Sequence, residues 1–294
     1  MEWVATNKRL LKYMNRALSE DGNRDTVVAA RYVALNTKAK LVRGDIVIAA
    51  ANGYATAREY SEILKRALPI ACAIEYVHAA SLIEDDMTDK SELRRSFPAC
   101  HIRFGEDIAH NASQHLVQRA YEIIASERTL TDKQRVDIII RASKAGREMT
   151  IGQDKDITQK GLETLEDVLK MYEQKTGALI GAAAVSGGIV GGAPLGDVIL
   201  LNRIWRRCGV AYQIGDDLLD ALGREENIGK PTNQDQGKLT VIQALGGNID
   251  KVMALKKRFD DMVKGDVAKL NGEYTLLKEI IFKMGSKHQE LISG

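Results

Sequence analysis

Residues 75–89 read EYVHAASLIEDDMTD, an apolar stretch that ends in three aspartates. Apolar residues recur every three or four positions from Tyr60 to Met87, which predicts one long helix with the aspartates at its end. The same spacing extends along most of the chain, and strand patterns are nearly absent. Only 4 Pro occur in 294 residues, which favours long helices over many short strands. The sequence therefore predicts an all-α helical bundle, as a single domain over residues 1–294.

Composition excludes several classes of protein. The 42 Lys and Arg nearly balance the 40 Asp and Glu, so the net charge of +2 gives no electrostatic case for a nucleic-acid partner. The cysteines Cys72, Cys100 and Cys208 are widely spaced, which argues against a disulfide framework and against a zinc site. The first residues lack the apolar centre of a secretion signal. These features predict a cytoplasmic protein.

One segment is long enough to cross a bilayer, because residues 176–196 contain no charged side chain. Seven of these residues are Gly and another is Pro194, so the drive for membrane insertion is weak. Small residues allow close backbone approach between helices. We therefore predict a buried helix here and no membrane span.

The same acidic string occurs twice, 131 positions apart and each time at the end of a predicted helix. The two copies are Asp85-Asp86-Met87-Thr88-Asp89 and Asp216-Asp217-Leu218-Leu219-Asp220. With 21 Asp in the chain, one such string is expected by chance about 0.1 times. The first and last carboxylates of each string share a helical face about 5–6 Å apart, where they repel unless cations bind between them. A third string that begins with Asp260-Asp261 ends in Lys264, and we interpret it as a solvated face.

Carboxylates select hard cations, and Mg²⁺ binds through one or two carboxylates together with substrate phosphates. Two such clusters converging on one diphosphate would need cationic residues nearby. Two candidates, Arg94 and Arg95, follow the first string, and Lys175 lies near the start of the uncharged segment. Two more, Lys230 and Lys238, flank the loop after the second string. The pattern predicts a magnesium-dependent site for diphosphates.

Taken in order, the motifs of residues 38–245 resemble those of the trans-isoprenyl diphosphate synthases. They comprise the run that ends in the first acidic string, Arg94-Arg95, Lys175-Thr176, the run from Tyr212 to Asp220, and Gly229-Lys230-Pro231. The resemblance implies the isoprenoid synthase type of all-α fold with a central cavity, usually as a homodimer. It also implies elongation of an allylic diphosphate with isopentenyl diphosphate, with three Mg²⁺ in each active site.

The resemblance implies a role for each matching residue. The metal ligands would be Asp85, Asp86, Asp89, Asp216, Asp217 and Asp220. The allylic diphosphate would be bound by Arg94, Lys175, Lys230 and Lys238, and the oxygens of Thr176 and Gln213 would stabilise the carbocation that forms when this diphosphate leaves. Isopentenyl diphosphate would be bound by Lys40, Arg43, His78 and Arg95.

The chain departs from the family pattern around Lys40, where only the two cations Lys40 and Arg43 are kept and Lys38 is an alternative to Lys40. In the family, a bulky side chain before the first acidic string limits product length. Ala80 and Ser81 are small at these positions, so we expect a product of C20 or somewhat longer.

Two other functions remain open. A class I terpene cyclase would share the fold and the first cluster, but normally carries an Asn/Asp-Asp-x-x-Ser-x-x-x-Glu motif that residues 216–224 do not match. A non-catalytic partner subunit of a prenyl synthase would tolerate loss of metal ligands, whereas both strings are intact here.

Overall fold

A computed structural model of the protein describes residues 3–56, 58–222, 237–271 and 274–282. Its regular structure is almost entirely helical, which confirms the predicted all-α class. The helices with defined bounds are α1 (Trp3–Ser19), α2 (Asp25–Ala34), α3 (Val42–Asn52), α4 (Tyr60–Thr88), α5 (Cys100–Phe104), α6 (Glu106–Ser126), α7 (Asp132–Thr158), α8 (Leu165–Tyr172), α9 (Ala178–Gly191), α10 (Leu195–Leu222), α11 (Val241–Ala244) and α12 (Ile249–Val267).

The helices are grouped into two compact units. Unit 1 comprises residues 1–142 and 186–192, and unit 2 comprises residues 143–185 and 193–294. The acidic string at the end of α4 belongs to unit 1, and the string at the end of α10 belongs to unit 2. The single domain predicted over residues 1–294 stays a prediction.

In unit 1, α4 is a core helix that packs against α3 and α6. Sixteen of its side chains are buried, and they cover most of its circumference rather than one stripe. The ring of Tyr76 is fully buried, and its hydroxyl donates a hydrogen bond of 2.6 Å to the carbonyl of Met14 in α1. This contact fixes the N-terminal helix against the helix that carries the first acidic string.

The last turns of α9 belong to unit 1 and approach α3 closely. A Cβ atom at Gly187 would lie 2.2 Å from the carbonyl oxygen of Val47, and one at Gly191 would lie 2.4 Å from that of Ala51. Any larger side chain would push the two backbones apart. This contact is the close approach predicted for the uncharged segment, whose residues are largely buried.

A short hairpin follows α4 and was not foreseen from the sequence. Strands β1 (Leu93–Arg94) and β2 (Phe97–Pro98) are antiparallel, with Leu93 opposite Pro98 and Arg94 opposite Phe97. Arg95 and Ser96 form the turn with positive φ angles of 55° and 66°. Two successive left-handed residues are the geometry of a tight two-residue hairpin turn. The hairpin turns Arg94 back toward α4.

Unit 2 is built around α10, which packs against α12. Its apolar core contains buried side chains from α8, α10, α11 and α12, including Val168, Met171, Tyr172, Ile214, Leu218, Val241 and Val252. Thr164 and Asp167 form a capping box that starts α8. Apolar residues recur at helical spacing over residues 165–189, and within this stretch the structure has a π-helical segment, Glu173–Gly177, between α8 and α9. This segment carries Lys175 and Thr176.

All three cysteines are free and buried, as the absence of a disulfide pattern predicts. Among the described residues one helix, α4, is long and apolar enough to cross a membrane by length and composition. Its most apolar window is 72% buried within the protein, as is usual for a core helix.

Candidate active site

The first acidic cluster presents its aspartates in two different ways. Asp85 is half-buried and Asp89 is exposed, so both lie at the surface one helical turn apart. Asp86 is 2% exposed and accepts hydrogen bonds from Arg94, with Nε lying 2.8 Å from Oδ1 and 3.1 Å from Oδ2. A second contact joins Nη2 of Arg94 to Oδ1 of Asp86. Arg94 therefore binds the carboxylate of Asp86 in a bidentate arrangement, which is the strongest form of this ion pair.

The charge of Arg94 is stabilised by the cluster as a whole. Partial burial disfavours the charged guanidinium, but the carboxylates of Asp86, Asp85 and Asp89 outweigh that effect and raise the pKa of Arg94. Arg94 thus stays charged, and its charge is directed at the acidic cluster.

Unit 1 also brings together the residues predicted to bind isopentenyl diphosphate. Burial and the neighbouring guanidinium groups of Arg43, Arg95 and Arg94 hold the pKa of His78 well below its ordinary value. His78 is therefore neutral at neutral pH and can contribute hydrogen bonds but no charge. Burial also lowers the pKa of Arg95, although the charge of Glu75 opposes this shift.

Lys40 lies exposed in the loop that precedes α3, three residues before Arg43. The alternative cation, Lys38, lies with its Nζ 5.7 Å from the centre of the Phe97 ring, next to the hairpin. The charges of three arginines, Arg43, Arg94 and Arg95, all act on His78. We call these three guanidinium groups, together with His78, the guanidinium cluster.

The second acidic cluster repeats the arrangement of the first. Asp216 and Asp220 are half-buried, whereas Asp217 is 4% exposed. The hydroxyl of Tyr172 donates to Oδ2 of Asp217 over 2.5 Å, and the backbone N–H of Val241 donates to the same oxygen over 3.3 Å. Asp217 therefore links α10 to α8 and α11 inside unit 2.

Lys175 and Lys238 converge on a carboxylate that the sequence did not indicate. Nζ of Lys175 lies 2.5 Å from Oδ2 of Asp156, and Nζ of Lys238 lies 3.4 Å from the same oxygen. Burial alone would raise the pKa of Asp156, but the two ammonium groups outweigh burial and lower it. Asp156 is thus an ionised side chain that positions both lysines, which lie 63 residues apart in the sequence.

The two predicted carbocation-stabilising residues are in contact. Oγ1 of Thr176, in the π-helical segment, donates to Oε1 of Gln213 in α10 over 3.0 Å. On α7, both amide atoms of Gln153 are buried without a hydrogen-bond partner in the described part of the chain. Gln153 lies one turn before Asp156, so an unsatisfied amide adjoins the lysine site. Lys230, the remaining predicted cation, lies outside the described residues.

A statistical model of the family described as polyprenyl synthetase matches residues 26–269. The chain belongs to the polyprenyl synthetase family. It is 30% identical to farnesyl diphosphate synthase of Bacillus subtilis over 271 residues, covering 88% of this chain and 87% of that protein. Plant geranylgeranyl pyrophosphate synthases from Arabidopsis thaliana are matched over 55% of their length. The chain therefore spans little more than half of those relatives.

Solved structures confirm the fold of the chain. The geranylgeranyl pyrophosphate synthetase of Pyrococcus horikoshii superposes with a TM-score of 0.82 at 25% identity, covering 98% of this chain and 96% of that chain. A geranyltransferase of Helicobacter pylori, complexed with magnesium and isoprenyl diphosphate, gives a TM-score of 0.82 at 24% identity, covering 98% and 96% of the two chains. The resemblance seen in the motifs is thus confirmed at the level of family and fold.

The metal ligands of the protein stay a prediction. Among the described residues, no three His, Cys, Asp or Glu side chains form a ready-made metal site. The surface pairs Asp85/Asp89 and Asp216/Asp220 still fit magnesium, because this ion needs only one or two carboxylates when phosphates and waters complete its shell. Asp86 and Asp217 are held by hydrogen bonds within the protein, and their role as metal ligands stays a prediction as well. The expectation that both clusters converge on one diphosphate also stays a prediction.

Proposed function

We propose that the protein is a trans-prenyltransferase that condenses an allylic diphosphate with isopentenyl diphosphate to a linear all-trans prenyl diphosphate. The observation that carries this proposal is the repeated arrangement of the two acidic clusters. Each string presents its first and third carboxylates at the surface and holds its second carboxylate by hydrogen bonds. Family membership and relatives named as farnesyl and geranylgeranyl diphosphate synthases support the same activity.

The carboxylate pairs Asp85/Asp89 and Asp216/Asp220 are proposed to bind magnesium that carries the allylic diphosphate. The donor set fits, because carboxylate oxygens suit a hard cation. When bound, magnesium supplies Lewis-acid stabilisation of the departing diphosphate. The complex of the Helicobacter pylori geranyltransferase with magnesium supports this assignment, and we propose three ions for each active site.

The lysines of unit 2 are proposed to neutralise the allylic diphosphate. Lys175 and Lys238 both contact Oδ2 of Asp156, which brings two ammonium groups together where phosphate oxygens could bind. Lys230 would add to this set, and Arg94 would contribute from its position beside the first cluster. These cationic groups would stabilise the diphosphate as a leaving group.

Departure of the diphosphate leaves an allylic carbocation. The oxygens of Thr176 and Gln213 are fixed dipoles, since the two side chains are joined by a hydrogen bond. Oriented dipoles stabilise a developing charge without reorganisation. The alkene of isopentenyl diphosphate then attacks the cation, a carbon–carbon bond forms, and the released diphosphate accepts the proton that is lost.

Isopentenyl diphosphate is proposed to bind at Lys40, Arg43, Arg95 and His78. The arginines provide charge and His78, being neutral, provides a hydrogen bond to the diphosphate. We further propose that the product is C20 or somewhat longer, because Ala80 and Ser81 are small, and that the active protein is a homodimer.

The experiment is incubation of the purified protein with Mg²⁺, an allylic diphosphate and labelled isopentenyl diphosphate, followed by sizing of the products. Longer linear diphosphates are expected, and chelation of the metal should abolish them. Hydrocarbon formed without isopentenyl diphosphate would contradict the proposal in favour of a terpene cyclase. Absence of any turnover would favour a non-catalytic subunit.

A further inference from the structure

Glu75 is a buried acid that lies beside Arg43 and Arg95 of the guanidinium cluster. It lies one helical turn before His78 on α4 and is 5% exposed. Lys, Glu, Arg and Asp are almost never buried to this degree unless they are paired. Burial raises the pKa of Glu75, while the backbone amides of Gly44 and Arg43 and the charges of Arg43 and Arg95 oppose that shift. Its neighbours are thus residues of the proposed isopentenyl diphosphate site.

The carboxylate of Glu75 reaches the start of α3. Its Oε1 accepts a hydrogen bond of 2.7 Å from the backbone N–H of Gly44, in the first turn of that helix. The first N–H groups of a helix have no partner within the helix and need an external acceptor. The residue before α3, Leu41, provides no side-chain cap and has a left-handed φ of 51°. Glu75 therefore performs from α4 the role that a capping side chain performs elsewhere.

Close packing shows that this contact is built into the fold. A Cβ atom at Gly44 would lie 3.2 Å from Cγ of Glu75 and 2.5 Å from Cδ2 of Leu10. Only a glycine brings the backbone N–H this close to the carboxylate. The same first turn carries Arg43, and Lys40 lies immediately before it.

We propose that Glu75 is a positioning residue for isopentenyl diphosphate, which acts by fixing the first turn of α3 and hence the placement of Arg43. The inference rests on the proposed function, because it assigns a role in binding one of the two substrates. In this role the oxygen of Glu75 that accepts the hydrogen bond from Gly44, rather than the negative charge of Glu75, fixes the position of the first turn of α3.

Two conservative variants separate the acceptor from the charge. Glu75→Gln keeps an oxygen at the same reach but removes the charge, whereas Glu75→Asp keeps the charge and withdraws the oxygen by about 1.5 Å. We expect Glu75→Asp to raise the KM for isopentenyl diphosphate about tenfold or more, with the KM for the allylic diphosphate unchanged. Glu75→Gln should keep both KM values within about threefold of the wild-type values.

The control is the pair Glu62→Asp and Glu62→Gln on the same helix, where Glu62 is exposed and contacts only Lys65 over 2.6 Å among the described residues. Neither should change KM. A variant that folds poorly would contain less active enzyme, which lowers the apparent kcat and leaves both KM values unchanged. A rise in the KM for one substrate therefore cannot result from poor folding. The inference is overturned if Glu75→Asp leaves the KM for isopentenyl diphosphate unchanged, if it shifts both KM values equally, or if Glu75→Gln has the larger effect. Absence of turnover in the wild type would instead contradict the proposed function itself.

Discussion

The hydroxyl of Tyr172 donates a hydrogen bond of 2.5 Å to Oδ2 of Asp217. This bond fixes the second aspartate of one acidic cluster in the interior, just as Arg94 fixes Asp86 in the other cluster. In both units the remaining two aspartates of the string lie at the surface. Each string thus has one aspartate that is held in the interior and two aspartates at the surface. Holding the middle aspartate fixes the helix end and therefore the spacing of the two surface carboxylates, which carry like charges.

Removal of the Tyr172 hydroxyl should destabilise the protein. Tyr172→Phe leaves the buried carboxylate of Asp217 without one of its donors, which costs about 1–3 kcal/mol in the free energy of unfolding. Chemical denaturation measures this difference. Tyr121→Phe on α6 is the control, because no hydrogen bond of its hydroxyl is found in the described part of the chain, and it should change stability by less than about 0.5 kcal/mol. Equal effects of the two substitutions would contradict the anchoring role.

The hairpin turn offers a stabilising substitution. Ser96 has a φ of 66°, a left-handed conformation that costs a non-glycine residue about 1 kcal/mol. Ser96→Gly should therefore raise the melting temperature, with a gain of about 0.5–1 kcal/mol in the free energy of unfolding. Ser91→Gly, in the segment between α4 and β1 and without a positive φ, should instead lower the melting temperature because glycine increases the entropy of the unfolded chain. A loss of stability in Ser96→Gly would contradict the turn geometry.

Stability should depend on the ionisation of Asp156. The pKa of this carboxyl is lowered in the folded protein, so its contribution is complete above the unfolded pKa of about 3.9 and disappears as the pH falls through the folded pKa. Asp156→Asn should cost about 1–3 kcal/mol at neutral pH, and the difference from the wild type should shrink below about pH 4.

Urea unfolding at several pH values provides the measurement for Asp156. Asp154→Asn, at an exposed position of the same helix, is the matched control and should follow the wild type at every pH. A stability difference between Asp156→Asn and the wild type that stays constant down to about pH 2 would contradict the lysine–Asp156 assignment.

Product length should respond to bulk at Ser81. Ser81 is half-buried and lies one turn before Asp85 on the same face of α4. Ser81→Phe should shorten the prenyl product by one or more C5 additions, as measured by chromatography of the reaction products. Ala80→Phe is expected to act in the same direction, but Ala80 is 3% exposed and would need repacking. Ser61→Phe, at an exposed position near the start of α4, is the control and should leave the product unchanged. Unchanged products in both Ser81→Phe and Ala80→Phe would contradict the assignment.

The sequence predicted the features that depend on local pattern. Helical spacing located α4 and α10, and the repeated string located the aspartates at their ends. The roles of Asp86 and Asp217 were not predictable, because all aspartates in a string look equivalent until their distant partners, such as Tyr172, are known. The two-residue turn at Arg95 and Ser96 carries no glycine that would have marked it.

Other features depend on contacts between distant parts of the chain. Asp156 joins two lysines from different elements, and no spacing rule connects it to Lys238. The π-helical segment at residues 173–177 adds a residue to one turn, which side-chain periodicity alone does not reveal. Glu75 likewise acts through a backbone amide 31 positions away.

The surface aspartates of both clusters are proposed to drive metal-dependent elongation. The most direct measurement is the initial rate at which labelled isopentenyl diphosphate enters longer products, for Asp85→Ala and Asp216→Ala beside Asp260→Ala. Asp260 begins the third acidic string but contacts Lys256 over 3.0 Å on α12, so Asp260→Ala should keep the wild-type rate. We predict that Asp85→Ala and Asp216→Ala lose turnover while their unfolding transitions stay like that of the wild type. Near-normal rates in either variant would contradict this role of the aspartates.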